Sequence, residues 1–248
     1  MEVEGYTSLK EGLFLYSLAS TLKKSSVVME IGSWKGRSTI WLASGLKDGS
    51  GSGHVFAVDH GVGDSEAGLQ QTAEVFSANI KKNNVAEMIT TIFKKSEEAI
   101  QDWSEPIDIL FIDGAHDYES VRRDFLWEKY LVDGGWLVMH DVLNPGEGPA
   151  RVFLENVVKS NCFENFGTVD SILFAQKKGF SPYSLKKTIL GILLRFCLVL
   201  TKINRNLPKN GLLKKIVRIL MKRVLRGLTA KTANFKLLAF DRIKAQLI

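Results

Sequence analysis

The sequence lacks the features that mark secreted and membrane-spanning proteins. Its two cysteines, Cys162 and Cys197, stand in no CxxC or Cys/His spacing, which excludes a disulfide framework and a cysteine zinc site. The first twelve residues are acidic and polar, where a secretory signal needs a basic start and an apolar core. The apolar stretch 189–200 is broken by Arg195 and is shorter than the ~20 residues of a membrane span. We therefore expect a cytoplasmic protein.

Acidic residues are almost missing from the last third of the chain. Residues 177–248 contain 18 of the 33 Lys and Arg but only one acid, Asp241, which gives this part a charge of +17 and the remainder −11. Such an asymmetry points to a partner or surface for the basic part. We divide the chain into a main domain, 1–176, and a basic extension, 177–248.

The main domain alternates short apolar runs with helical patterns. Because the runs carry apolar residues on both faces, we expect strands that are buried on both sides, as in a parallel sheet covered by helices. The predicted class is α/β, doubly wound and Rossmann-like, with a helical extension. The predicted strands are 27–31, 54–58, 88–93, 107–112, 135–139 and 168–176.

Polar side chains follow these strands where each one ends. In sheets of this class, ligands bind beyond the carboxyl ends of the strands. The candidate positions are Glu30, Asp59, Ser96, Asp113 with His116, and His140 with Asp141.

The first strand runs into a glycine-containing loop, MEIGSWKGRST. Gly32 and Gly36 allow a tight turn and a close approach to a ligand. The loop is not GxGxxG, which disfavours a dinucleotide. Glu30 would repel a phosphate but would pair with an ammonium group, and Asp59 is placed to accept hydrogen bonds from ribose hydroxyls. These residues indicate an adenosine-type ligand with a positively charged amino-acid end.

Two strand ends together carry two carboxylates and an imidazole: Asp113, His140 and Asp141. Carboxylates suit Mg²⁺, and an imidazole shifts the preference toward Mn²⁺, Fe²⁺ or Zn²⁺. An ion there would lower the pKa of a substrate hydroxyl. His116 is the candidate general base, because an imidazole is the usual proton acceptor near neutral pH. By contrast, Asp117 is interpreted as a helix N-cap, and His54 and His60 as structural residues.

The segments VVMEIGSWKGRSTIWLA and PIDILFIDGAHDYESVRRDFLWEKYLVDGGWLVMHDV resemble the class I S-adenosylmethionine-dependent methyltransferases. Within that class, the similarity is to macrocin-type sugar O-methyltransferases and cephalosporin-hydroxylase-like proteins, over roughly residues 5–176. The resemblance implies O-methylation of a small-molecule or saccharide hydroxyl, with a divalent cation such as Mg²⁺. Members of the family that this chain resembles usually have two acids, or an acid and an amide, at the positions of His140 and Asp141. The histidine therefore puts in question which metal binds here and whether a metal is required.

The same resemblance implies a set of cofactor-binding residues. Glu30 and Gly32 would hold the methionine end of S-adenosylmethionine, Asp59 the ribose and Ser96 the adenine edge. The full set predicted to bind the cofactor is Glu30, Gly32, Ser33, Gly36, Asp59, Asp64, Ser96 and Asp113.

The extension contains apolar residues at helical spacing, with lysines and arginines off that face. In 212–226 the shared face carries Leu212, Leu213, Ile216, Val217, Leu220 and Val224. A basic amphipathic helix of this kind can lie on an anionic membrane, so residues 184–248 would place the protein at the inner face of the membrane. Packing on the main domain or on a second subunit is an equal alternative. Nucleic acid ranks third, because few aromatic residues are interspersed.

Two other functions remain open at this stage. One is a catalytically inactive S-adenosylmethionine-binding or membrane-tethered scaffold protein. The other is an RNA methyltransferase that uses the extension for phosphate contacts, which would show strongly salt-dependent RNA binding. The methyl acceptor is not encoded in any recognisable motif.

Overall fold

The computed structural model describes residues 3–49, 51–61, 72–142, 147–180, 185–206, 215–217 and 219. One sheet of seven strands runs through the protein, in the spatial order β3-β2-β1-β4-β5-β7-β6. The first five in that order are parallel. β7 pairs antiparallel with β5, and β6 pairs antiparallel with β7. The strands are β1 (Val27–Ile31), β2 (His54–Val58), β3 (Ile89–Ile92), β4 (Ile107–Ile112), β5 (Leu131–Met139), β6 (Phe163–Val169) and β7 (Ile172–Lys177).

Seven α-helices cover the two faces of the sheet within the described residues. Short 3₁₀ turns lie at Ala86–Met88, Ile100–Asp102 and Phe125–Tyr130, and a π-helix at Phe153–Val158. The α-helices are α1 (Leu9–Ser20), α2 (Arg37–Gly49), α3 (Ala73–Lys82), α4 (Ser96–Ala99), α5 (Tyr118–Asp124), α6 (Gly148–Val152) and α7 (Leu185–Arg205).

The central strands are buried on both faces, as their mostly apolar sequences predict. In β4, Leu110 and Ile112 belong to one hydrophobic cluster, while Ile109 and Phe111 belong to the other. This period of two sends successive side chains to opposite sides of the sheet. The doubly wound, mostly parallel fold is therefore confirmed.

The predicted strand 168–176 is wrong as a single strand. The chain reverses within it, because Asp170 has a φ of 47° and lies between the end of β6 and the start of β7. Aspartate tolerates this left-handed conformation better than most residues. The result is a β6–β7 hairpin with Ser171 at its tip, and β7 pairs with β5.

The start of α1 is fixed by a capping box. The Ser8 hydroxyl accepts a hydrogen bond from the Glu11 amide (3.3 Å), and the Glu11 carboxylate accepts one from the Ser8 amide (2.8 Å). These bonds satisfy amides that the helix itself leaves unpaired. The Ser8 hydroxyl also donates to Asp170 (2.9 Å), so the start of α1 is tied to the β6–β7 hairpin.

The first helix of the basic extension packs on the main domain. Leu190, Leu194 and Cys197 on α7 are at most 3% exposed and join the hydrophobic cluster that contains Trp127. Of the predicted helix in 212–226, the described residues Lys215–Val217 and Ile219 are helical, and the rest lies outside the described residues. No helix in the described part of the chain is long and apolar enough to cross a membrane.

We predict that replacing Leu194 with Ala lowers the free energy of unfolding by about 2–5 kcal/mol, because it leaves a cavity in the shared core. The matched variant Ile192→Ala changes a side chain that is 59% exposed and should have an effect within about 0.5 kcal/mol. Urea titration of both variants, followed by circular dichroism, measures the difference. Equal effects would contradict the packing of α7 on the main domain.

Candidate active site

A cavity of about 760 Å³ opens at the carboxyl edge of the parallel strands. It lies beside β1 and β4, where the chain order of the strands reverses, and ligands bind at this point in doubly wound sheets. Its described lining includes seven residues that follow strands, namely Gly32, Ser33, Trp34, Asp59, Asp113, His116 and Asp141. Ser96, at the start of α4, lines it as well.

The loop after β1 has glycines at two positions, Gly32 and Gly36, and each has a positive φ that favours glycine. Gly32 has a φ of 88°, and a Cβ there would overlap the backbone carbonyl of Asp113. The Asp113 amide in turn donates to the Ile31 carbonyl (2.8 Å), so the two strand ends are in direct contact. Gly36 has a φ of 86° and faces the Phe76 ring, away from the described lining of the cavity. Its predicted cofactor role stays a prediction.

Glu30 is fully buried behind this loop and is not among the described residues that line the cavity. Burial raises the pKa of its carboxyl to about 8, although hydrogen bonds with Ser38 and Thr39 lower it. Through these hydrogen bonds, Glu30 links β1 to the first turn of α2. Pairing with a cofactor ammonium group stays a prediction.

Asp59 is held at the cavity wall by two backbone amides. Its carboxylate accepts hydrogen bonds from Trp34 (2.8 Å) and Gly61 (2.7 Å), which orient it just beyond β2. The Ser96 hydroxyl accepts a hydrogen bond from the Trp127 indole (2.9 Å). Both residues line the cavity, and their contacts with ribose and adenine stay predictions. Asp64 lies outside the described residues.

The acids and histidines at the ends of β4 and β5 come together as predicted. His140 Nδ1 is 3.0 Å from an Asp113 oxygen and 3.5 Å from an Asp141 oxygen. His116 Nε2 is 3.2 Å from the other Asp141 oxygen. Asp113, His140 and Asp141 offer ligand atoms that all lie within 4.8 Å of one another.

These distances fit a divalent cation. Neighbouring ligands around one octahedral ion at ~2.1 Å are about 3 Å apart, close to the 3.0 and 3.5 Å that separate His140 Nδ1 from the two carboxylates. Two carboxylates and one imidazole are also a donor set that Mn²⁺, Fe²⁺ and Zn²⁺ accept. Asp117, in contrast, accepts a hydrogen bond from the Ser120 amide (3.0 Å), which confirms it as the N-cap of α5.

The far side of His140 is also occupied. His140 Nε2 lies 3.4 Å from Glu11 and 3.1 Å from the Ser171 hydroxyl, which itself donates to Glu11 (2.6 Å). Burial would lower the pKa of His140, but Asp113, Asp141 and Glu11 raise it well above its usual value. Burial alone would raise the pKa of Glu11, but mainly the hydrogen bond with His140 and its charge lower it to about 2.

Two states of His140 are consistent with this arrangement. As an imidazolium, it would bridge Glu11 and Asp113 and neutralise part of the acidic cluster. As a neutral metal ligand, it would use Nδ1 for the ion and donate its Nε2 hydrogen to Glu11. A carboxylate that orients a metal-bound histidine in this way is a recurrent feature of metal sites.

Residues 29–142 match a protein-family profile described as a methyltransferase domain. This chain contains a methyltransferase domain. The matched segment runs from β1 to just beyond His140 and Asp141, and so spans the strand ends that form the cavity. Its fold is that of the class I S-adenosylmethionine-dependent methyltransferases.

Solved structures share the fold of the methyltransferase domain. Rv0187 from MTB, with bound cofactor, is 23% identical, with 71% of this chain and 84% of that chain covered and a TM-score of 0.58. The O-methyltransferase from Bacillus cereus in complex with SAH is 23% identical, with coverages of 69% and 83% and a TM-score of 0.54. TomG from Streptomyces achromogenes, in complex with SAM, is 20% identical, with coverages of 70% and 82% and a TM-score of 0.53.

One curated protein is similar to this chain in sequence. The chain is 31% identical over 131 residues to the uncharacterized protein R132 of Acanthamoeba polyphaga mimivirus. The match covers 51% of this chain and 57% of that protein. The matched part of this chain therefore spans little more than half the length of that curated relative.

Several residues of the methyltransferase domain's cavity were not found from the sequence. Residues 5–7 form part of one wall, and the Arg37 guanidinium holds them by donating to the Thr7 carbonyl (2.9 Å). His60, interpreted as structural, lines the cavity as well. Asp124 also lines it, and burial raises the pKa of this carboxyl to about 6. They were not found because nothing in their spacing along the sequence distinguishes them from ordinary loop or helix residues.

We predict that the Glu30 carboxyl makes the protein less stable as the pH rises. It holds its proton up to about pH 8 when folded but releases it near pH 4.5 when unfolded. The folded state therefore binds more protons in this window, so the free energy of unfolding falls as the pH rises through it, by an amount on the order of a few kcal/mol.

The variant Glu30→Gln keeps the shape of the protonated side chain and should flatten this dependence. Urea unfolding at a series of pH values, with the exposed-site variant Glu98→Gln as control, measures it. Parallel pH profiles for the wild type and Glu30→Gln would contradict the buried, protonated state.

Proposed function

We propose that this protein is an O-methyltransferase that transfers the methyl group of S-adenosylmethionine to a hydroxyl of a small molecule or saccharide. The observation that carries the proposal is the placement of Asp113, Asp141 and His116 in one cavity with Gly32 and Asp59. Residues predicted to bind the cofactor and residues predicted to act on the hydroxyl thus line one cavity.

The residues on the β1 and β2 side of the cavity would bind the cofactor. S-adenosylmethionine supplies an electrophilic methyl group on a positively charged sulfur. Gly32 and Ser33 allow its methionine end to approach the backbone, and the oriented carboxylate of Asp59 offers acceptors for two ribose hydroxyls. The carboxylates of Asp59 and Asp113, which line the cavity beside this loop, would also attract the positive charges of the cofactor.

The residues on the β4 and β5 side would bind the hydroxyl group. Asp113, His140 and Asp141 are the residues that would hold a divalent cation, which lowers the pKa of a bound hydroxyl. Glu11 and Ser171 fix the orientation of the His140 ring from behind. Because methyl transfer is an in-line displacement, holding the two reacting atoms in position contributes a large part of the rate.

His116 would accept the proton of the hydroxyl. Its ring lines the cavity, and Asp141 lies 3.2 Å from Nε2. A neighbouring carboxylate stabilises an imidazole that has taken up a proton, so this pair suits a general base. The side chain of His116 is 13% exposed, which leaves it accessible from the cavity.

The acceptor class also agrees with the basic extension. A saccharide carried by a membrane lipid is one such hydroxyl acceptor, and residues 184–248 would bring the enzyme to an anionic membrane surface. We do not assign nucleic acid as the acceptor, because its recognition by stacking calls for aromatic side chains interspersed among the basic ones.

We predict that His116→Gln and Asp113→Asn each lower the rate of methyl transfer by about 10²–10⁴, the usual contribution of a positioned acid or base. The measurement is release of S-adenosylhomocysteine with a panel of hydroxylated small molecules and saccharides, with and without Mg²⁺ or Mn²⁺. Calorimetric titration with S-adenosylmethionine checks that the cofactor still binds to His116→Gln.

The matched controls are His54→Gln and Asp133→Asn, which lie away from the cavity lining. They should retain wild-type rates. Full activity in both site variants would refute the assigned roles. Cofactor binding without turnover of any acceptor would favour an inactive scaffold, and strongly salt-dependent RNA binding would favour an RNA methyltransferase.

We predict that Glu11→Gln weakens the binding of Mn²⁺ by about 10–100-fold, because it removes the charge that orients and polarises His140. Calorimetric titration with Mn²⁺ alone measures this effect without any acceptor. Glu4→Gln is the matched control, since Glu4 lies nearby in the chain, is 71% exposed and pairs with Lys35. Equal Mn²⁺ affinity in the wild type and Glu11→Gln would show that Glu11 does not support a metal ligand.

A further inference from the structure

One face of α7 presents a continuous apolar stripe to solvent. Its six side chains recur at alternating steps of four and three residues, which places them along one side of the helix. Each is between 45% and 74% exposed. We call this the α7 stripe: Leu185, Ile189, Ile192, Phe196, Val199 and Ile203.

The α7 stripe is not the face that holds the helix on the main domain. That face is formed by Leu190, Leu194 and Cys197, which pack in the core near the π-helix. The same helix thus has two apolar sides. Folding of the described residues buries only one of them, and a large exposed apolar patch usually marks an interaction surface.

A small basic cavity lies beside the stripe, between α7 and the π-helix. Its volume is about 90 Å³, room for several water molecules at ~30 Å³ each. Lys159, Lys187 and Arg195 line it, and its described lining contains no Asp or Glu. Ile192 belongs to both the cavity wall and the stripe, so the two features are contiguous.

We propose that this face binds an anionic lipid bilayer. The α7 stripe enters the boundary between headgroups and acyl chains, and the basic cavity receives the phosphate of a lipid headgroup. This arrangement is that of an interfacial helix, in which apolar burial and attraction to anionic lipids act together. The proposal does not depend on methyl transfer.

Charge favours a bilayer over a second copy of the chain. The alternating four-three spacing would also suit a coiled-coil seam, whose flanking positions usually carry opposite charges. The sequence of α7 contains no Asp or Glu, and exposed Arg195 and Lys202 flank the stripe. Pairing of two such helices would bring like charges together, whereas an anionic surface neutralises them. The charge of +17 on residues 177–248 adds to this attraction.

The test is cosedimentation of the full chain with two kinds of vesicle. One consists of phosphatidylcholine alone, and the other of equal parts phosphatidylcholine and phosphatidylglycerol. We expect strong binding to the anionic vesicles only. Replacing Ile192 and Phe196 with Gln should weaken it by at least about tenfold, since two buried apolar side chains are lost. Lys159→Gln with Arg195→Gln should weaken it by about fivefold for each charge removed.

Matched variants control for general loss of apolar or basic surface. Leu126→Gln removes an apolar side chain that is 57% exposed on the main domain, and Lys81→Gln with Lys82→Gln removes two exposed charges. Both should bind like the wild type. All variants should keep wild-type affinity for S-adenosylmethionine, which shows that they are folded.

Three outcomes would overturn the proposal. The first is unchanged vesicle binding in the stripe variant. The second is wild-type vesicle binding by the cavity variant together with loss of affinity for glycerol phosphate in solution, which would assign the cavity to a soluble phosphate. The third is a wild-type dimer in sedimentation velocity that the stripe variant dissociates, with neither protein binding vesicles. That result would assign the stripe to a second copy.

Discussion

The candidate active site depends on one buried group, the imidazole of His140. The ring is 3% exposed and lies among three carboxylates, from Glu11, Asp113 and Asp141. Ionised groups in such a location are costly unless they are paired. The ring therefore constrains where the ends of β4 and β5, the start of α1 and the β6–β7 hairpin can lie. A metal ligand and a fixed imidazolium are both compatible with this constraint, and in either state Asp113 and Asp141 remain at the cavity wall.

The sequence predicted the central sheet and the meeting of the acids and histidines at its edge for one physical reason. Parallel strands end at the same edge, so the residues after β1, β2, β4 and β5 had to meet there. The β6–β7 hairpin was missed because Asp170 and Ser171 interrupt an otherwise plausible strand by only two residues. Glu11 was missed because its capping box with Ser8 already explains a glutamate at that position. Its contact with a residue 129 positions further on has no signature in local spacing.

The extension is neither a separate appendage nor only a part of the core. Its first helix contributes Leu194 to the same cluster as Trp127, and it also presents the α7 stripe to solvent. The stripe was not foreseen in this form, because the sequence shows apolar residues around most of α7 and does not say which of them the main domain covers. Only the packing against the π-helix separates the two faces. The stripe and the candidate active site are on different elements, so the proposed surface attachment and the proposed chemistry can be altered independently.

The contact of Glu11 with His140 and Ser171 also has a consequence for motion. An N-terminal helix that only covers a sheet can detach at little cost, and such local opening is common at chain ends. Detachment of α1 would here withdraw a carboxylate from a buried ring and break the hairpin's link to the helix. We therefore expect the first helix, the hairpin and this edge of the sheet to open together, although they lie more than a hundred residues apart in the sequence.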